Sequence, residues 1–203
     1  MAGIPLLRRV RAAFAVTLVV AAAAAASTAA PASAGLGLAC PDSTSKPFTR
    51  WSDYANYAYS PNGGFESGAT GWSLSGGKVV AGNESFYIHG STDKYSLSLP
   101  SGASATSAAM CISLFSGHMR FVARGTTGAK VKVQILYRGM LSSVLGILDG
   151  GTYAVGSSWS PSAEVGMLGG QLPLLTSSVS FRFTAVGGSV SLDDVYLDPM
   201  KSA

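Results

Sequence analysis

Asn62-Gly63-Gly64-Phe65-Glu66-Ser67-Gly68-Ala69-Thr70-Gly71-Trp72 is the stretch that decides the fold. Four glycines and a lone glutamate surround two large rings. From here to the C-terminus the chain becomes short apolar runs separated by Gly and Ser. Such runs, with turn signals every few residues, are expected to be strands of a sandwich or barrel. The runs are Trp72–Leu74, Lys78–Ala81, Phe86–His89, Tyr95–Leu99, Ser104–Ile112, Met119–Ala123, Lys130–Arg138, Val179–Ala185 and Ser189–Leu197. Lys130–Arg138 is the clearest. Val131, Val133, Ile135 and Tyr137 share one face, with Lys130, Lys132, Gln134 and Arg138 on the other. Pro173 and Gly169-Gly170 break residues 166–176 into a loop or single turn. No stretch after the leader keeps a helical period for three turns, and no internal repeat is seen.

The far end of the chain carries an anomaly. Val190 and Leu192 have one parity, Val195 and Leu197 the other, and the slip falls on Asp193-Asp194. Both pairs reach one core only if a bulge or twist lies between them. Two adjacent acids repel unless something positive sits nearby. The Asn62–Trp72 stretch reads as an opening strand, and first and last strands commonly lie side by side. Glu66 and one of the two aspartates would then share a site. Carboxylates and carbonyls without Cys or His describe a hard cation, and Ca²⁺ is the candidate outside the cell. The other reading has Glu66 capping a turn and Asp193 pairing with a Lys or Arg.

Upstream, Leu6-Leu7-Arg8-Arg9-Val10-Arg11, the apolar run Ala12–Ala26 and Ala32-Ser33-Ala34 have the order of a secretory signal peptide. The apolar run is shorter than the ~20 residues that span a bilayer, which argues against a membrane anchor. Residues 1–34 are thus expected to be a leader and the remainder to be secreted, without a membrane partner after cleavage. Residues 35–60 read as an irregular arm with Trp51, Tyr54, Tyr57 and Tyr59. Its rings are expected to cover one edge of the sandwich, with a short helical turn within 51–59. Residues 61–199 form the sandwich and 200–203 a tail. The leader holds three of the 14 Lys+Arg and none of the 10 Asp+Glu, so the rest is close to neutral. No basic stripe remains, which argues against nucleic acid.

Cys40 and Cys111 are the only cysteines, an even count that favours one disulfide in an exported chain. Closing a loop of about 70 residues would contribute ~4 kcal/mol. The competing reading acylates Cys40 as a lipoprotein. It fits less well, because Gly37 stands where such a signal wants Leu and Cys111 would be left alone.

The set Asn62-Gly63-Gly64-Phe65-Glu66, Gly71-Trp72 and Leu192-Asp193-Asp194-Val195 resembles the jelly-roll carbohydrate-binding modules of families four, nine and twenty-two. The resemblance covers roughly residues 62–199, with moderately specific ends and a generic middle. It implies an all-β, two-sheet jelly-roll β-sandwich of the galactose-binding-like type. A structural Ca²⁺ is implied between the ends, with Glu66 and Asp193 as ligands. A glycan or cell-wall polysaccharide is the implied partner. The whole chain also resembles small secreted bacterial proteins of no established function. Sugar faces in those modules carry two or more exposed aromatics; here the middle strands offer Phe86, Tyr87, Tyr95, Tyr137 and Trp159, of which Tyr137 shares parity with the apolar row. If Phe86–His89 is a strand, Tyr87 and His89 share a face, and with Arg120 they make the expected ligand face. Trp72 reads as a core anchor.

Three functional classes stay open: a glycan-binding module, a structural extracellular module, and a glycoside hydrolase using Glu66 and Asp193. The last is disfavoured. The chain has two histidines and no nucleophile, phosphate or metalloprotease motif. The Gly-rich surroundings of Glu66 also suggest a closed site.

Overall fold

The computed structural model describes residues 43–112, 117–139, 141, 143–167 and 176–199. The expected leader, Cys40, the tail and most of the 166–176 loop lie outside them. Among the described residues fourteen strands run in chain order: β1 Thr44–Ser45, β2 Tyr57–Tyr59, β3 Ser73–Ser75, β4 Lys78–Ala81, β5 Tyr95–Leu99, β6 Ser104–Thr106, β7 Met110–Cys111, β8 His118–Gly125, β9 Lys130–Arg138, β10 Val144–Ala154, β11 Ser160–Pro161, β12 Val165–Gly166, β13 Ser178–Val186 and β14 Val190–Leu197. All pairing is antiparallel. One sheet is ordered β1-β2-β14-β5-β4, with β8 on the other side of β14 and β11 and β12 beyond β8. The second is ordered β10-β9-β13-β6-β3, with β7 also on β13. The chain is a two-sheet jelly-roll β-sandwich, as its strand pattern and end motifs imply.

The alternation on β9 sets the core. Val131, Val133, Ile135 and Tyr137 face Phe181, Phe183 and Val179 of β13 and the inward residues of β5, β8 and β14. Each fully buried side chain of this kind stabilises the fold by about 1.5–3 kcal/mol. Phe65 and Trp72 belong to this core, their rings 4.8 Å apart, so Trp72 is an anchor.

A second apolar layer lies on the outer face of the first sheet. Phe48, Tyr57, Val122, Trp159 and Tyr196 are buried there, with Trp51, Tyr59, Phe86 and Ile88 partly buried against them. Residues 43–60 of the segment read as an arm therefore pack and also supply β1 and β2. Its rings cover the face of the sheet as well as its edge. The helical turn expected within 51–59 is instead a 3₁₀ turn at Thr49–Trp51 followed by β2.

Three further sequence readings change. Phe86–His89 is a loop, because the Glu84 carboxylate takes the N–H groups of Phe86 and Ile88 and bends the backbone, with Tyr87 at φ +53°. Asn62–Trp72 is a chain of tight turns joining β2 to β3, with Asn62 at φ +51° and Phe65 at φ +62°. The Asn62 side chain organises it, donating to the carbonyls of Gly68 and Thr70 and accepting from Ser67 N–H. β10, eleven residues at the edge of the second sheet, has no alternation in the sequence to announce it. Its register shifts twice against β9, at Val144/Gly146 and Asp149/Gly151.

Candidate cation site and sheet faces

The parity slip on β14 is a bulge. Asp193 lies opposite Val122 of β8, and Tyr196 lies opposite Arg120, so three steps on β14 match two on β8. Asp194 absorbs the extra residue at φ +46°. Val190 and Leu192 before it, and Val195 and Leu197 after it, all reach the same core.

At the same place β14 changes neighbours. It pairs with β5 through Leu192 and with β2 from Tyr196. The gap is bridged by the opening segment: Ser60 N–H donates to Val195 O at 2.9 Å, and Val195 N–H donates to Gly63 O at 3.4 Å. A Cβ on Gly63 would lie 2.9 Å from Val195 O, and one on Gly64 would lie 2.5 Å from Tyr59 Oη and 3.2 Å from Asp194 Oδ1. The two ends of the domain meet here because these positions carry no side chain.

The junction is acidic and dry. Asp193 is 0% exposed, Asp194 1% and Glu84 0%. Asp193 Oδ2 accepts Glu84 N–H at 2.9 Å and Oδ1 accepts Asp194 N–H at 3.0 Å. Neither carboxylate oxygen of Asp194 has a hydrogen-bond partner; the His89 amide dipole points toward it but falls short of hydrogen-bond geometry. Burial, and then the charge of Asp194, push the Asp193 carboxyl up to about 9. Burial, and then Glu84, push Asp194 up to about 7. Burial also raises Tyr59 and Tyr196, whose hydroxyls face the same charges. A buried carboxylate with both oxygens unpaired is costly unless a proton or a cation compensates it.

A hard cation fits this site. Its donors are carboxylates, Gly64 leaves the space, and the basic side chain acting on Asp194 is His89. Oxygen atoms of Asp93 and Asp194 and a nitrogen of His89 lie within 4.8 Å of one another. His89 Nδ1 contacts Asp93 Oδ2 at 2.8 Å, and its ring stacks on Tyr59 at 3.9 Å.

The expected site residues have other surroundings. Glu66 Oε1 accepts Lys94 N–H and Tyr95 N–H, both at 2.8 Å, and so holds the start of β5. Asp193 is engaged with Glu84 and Asp194. The junction gathers Glu84, Asp93 and Asp194 around Asp193, and Glu66 is not among them. Glu84 and Asp93 sit in loops of no recognisable pattern. Asp194 was visible only as half of a pair.

Tyr87 and His89 do not share a strand face, because Phe86–His89 is a loop. Tyr87 is 52% exposed in its loop. Arg120 packs over Phe48, pairs with Asp53 at 2.7 Å and donates from Nε and Nη2 to Ser162 O. Cys111 ends β7 and does not carry a free thiol, while the other half of the expected Cys40–Cys111 bridge lies outside the described residues.

A second polar cluster ties the arm to β8. Tyr57 Oη donates to Asp53 Oδ2 at 2.6 Å and lies 2.7 Å from His118 Nε2. A hydroxyl has one proton, so Nε2 is the donor in the second contact. His118 Nδ1 lies 3.5 Å from Asp198, and Nε2 lies 3.8 Å from Glu164. Burial alone would raise Asp53, but hydrogen bonds from Tyr57 and Arg120 bring its pKa below the ordinary value. Asp53, His118 and Glu164 are close enough to hold a metal, yet Arg120 and Tyr57 already occupy the needed lone pairs.

The outer face of the second sheet is different in kind. Two registered rows cross five of its six strands. One is Asp149, Gln134, Arg182, Thr106, Ser73; the other is Thr152, Lys132, Thr184, Ser104, Ser75. All ten are at least partly exposed. Arg182 Nε donates to Thr106 Oγ1 at 3.2 Å, and Lys132 Nζ lies 3.9 Å from Asp149. No aromatic residue stands in either row.

No protein-family model matches the chain, and no curated protein matches it. Solved structures do. The CBM22-1–GH10 modules of an endo-1,4-β-D-xylanase from Clostridium thermocellum, complexed with xylohexaose, are 16% identical over 72% of this chain and 28% of that one, with a TM-score of 0.48. This chain therefore spans little more than a quarter of that protein. A CBM22-1 xylan-binding domain from Paenibacillus barcinonensis is 15% identical over 73% of this chain and 97% of its own, with a TM-score of 0.47. A family 61 module in complex with β-1,4-galactotriose is 21% identical over 67% and 94%, with a TM-score of 0.44.

Proposed function

We propose that this protein is a secreted, non-catalytic glycan-binding β-sandwich whose two ends are locked by a calcium ion. The observation that carries glycan binding is the pair of five-residue polar rows on the outer face of the second sheet. Hydroxyls, an amide, a lysine and an arginine are held there on rigid strands. Such an array donates and accepts toward sugar hydroxyls without ring stacking. The lack of aromatics on this face implies weak, hydrogen-bond-dominated binding of a chain lying across the strands.

The calcium would sit at the β14 bulge, with Asp194 as its central ligand and Asp93 beside it. Asp193 and Glu84 would add negative charge. In that role the ion neutralises buried carboxylates and joins β2, β5 and β14; it supplies no chemistry to a substrate. Glu66, engaged with two backbone amides of the β4–β5 connection, is left out of this ligand set.

Affinity electrophoresis in gels containing xylan, galactan, mixed-linked glucan and cell-wall polysaccharides tests the binding reading. Retardation by at least one polymer, lost on Gln134→Ala with Arg182→Ala, is expected. Free migration in every gel would favour the second reading, a purely structural extracellular module. The packed arm and its aromatic layer over the first sheet support that alternative.

A further inference from the structure

The outer face of the first sheet is covered by the aromatic layer except at one end. There the cross-strand row Lys78, Ser98, Ser191, Arg124 runs over β4, β5, β14 and β8. Beside it opens a cavity of about 230 Å³, lined by Ser98, Arg124, Thr126, Ser157, Ser189 and Ser191 over the backbone of Gly125 and Val190. Five of these residues carry hydroxyls and none carries a carboxylate.

Arg124 is the unusual member. Its guanidinium lies over the ring of Trp159 at 4.8 Å, and Trp159 is itself buried. Among the described residues no carboxylate pairs with Arg124 and no hydrogen bond engages it. Stacking on a fixed indole holds the fork in place while leaving its N–H donors free. The hydroxyls of Ser98, Ser157, Ser189 and Ser191 are also without a partner among the described residues. Thr126 Oγ1 is engaged, accepting Ser189 N–H at 3.1 Å. The rim is rigid: Thr126 N–H donates to Ser189 O at 3.0 Å, and Gly125 N–H to Gly156 O at 2.7 Å.

We propose that this cavity is a binding site for a sugar acid, with the carboxylate on Arg124 and the ring hydroxyls on Ser98, Ser157 and Ser191. A planar carboxylate matches the guanidinium fork in a bidentate pair, which neither a neutral sugar nor a point charge reproduces. The volume admits one sugar ring. The site lies on the opposite sheet from the polar rows and stands whether or not those rows bind a glycan.

The test is NMR titration of the purified protein with glucuronate, glucose and sodium sulfate in parallel. Glucuronate should shift the amides of Arg124, Ser191 and Ser98, with glucose inert and sulfate weaker. Arg124→Gln should weaken glucuronate binding by about tenfold or more, and Arg124→Lys should give an intermediate loss. Arg124 is exposed, so both variants should fold, and an unchanged melting temperature would verify that. Absence of shifts with glucuronate, shifts that persist in Arg124→Gln, or equal affinity for sulfate would each overturn the proposal.

Discussion

Asp194 is a buried carboxylate with neither oxygen hydrogen-bonded. Its folded pKa, like that of Asp193, lies above the ordinary value of 3.8. Between that value and the raised ones the folded protein binds more protons than the unfolded chain, so stability falls as pH rises. In the absence of divalent cations the protein should therefore lose stability from about pH 4 toward pH 7 for Asp194 and pH 9 for Asp193. Denaturant melts across that range check the slope; a flat or rising profile would contradict the buried pair. Calcium should flatten the slope by taking the protons' place. Gly64→Ala tests the same junction sterically. A methyl 2.5 Å from Tyr59 Oη cannot be placed without movement, and overpacking of this kind costs about 1–3 kcal/mol.

The elements that carry the arm make separate predictions. Phe48 is fully buried between Trp51, Tyr57 and Tyr196, with Arg120 over its face. Phe48→Ala should cost about 3–5 kcal/mol, the range for a buried aromatic, read from chemical denaturation. A loss under 1 kcal/mol would mean that the arm lies loosely. Tyr57→Phe keeps the ring but removes the hydroxyl between Asp53 and His118. A cost of about 1–3 kcal/mol is expected, because partners of a buried hydroxyl are left unsatisfied.

The strands best read from sequence were those with one buried and one wet face. The bounds of β4, β5 and β9 agree with the structure to the residue. Elements set by tertiary partners were not legible. β2 forms because β14 offers it an edge, and the Phe86–His89 loop forms because Glu84 captures its amides. The junction was legible in outline, because a parity slip is a period argument and a bulge is its geometric outcome. Its full set of acids was not, because Glu84 and Asp93 come from loops that only the folded chain brings to Asp194.

At the scale of the whole molecule, two sheets close over one core and their ends meet at the Gly63-Gly64 turn and the Asp193-Asp194 bulge. We propose that a cation at this meeting point completes the fold. The most direct test is thermal unfolding of the purified protein near pH 8 with excess calcium and with a chelator, alongside Asp194→Asn. A ligand present at about 100 times its Kd adds ~2.7 kcal/mol, which for a domain of this size raises Tm by roughly 5–10 °C. That rise is expected for the native protein and should be lost in Asp194→Asn, which should melt above the chelated native protein because one buried charge is removed. Superimposable melting curves with calcium and chelator in the native protein would contradict it.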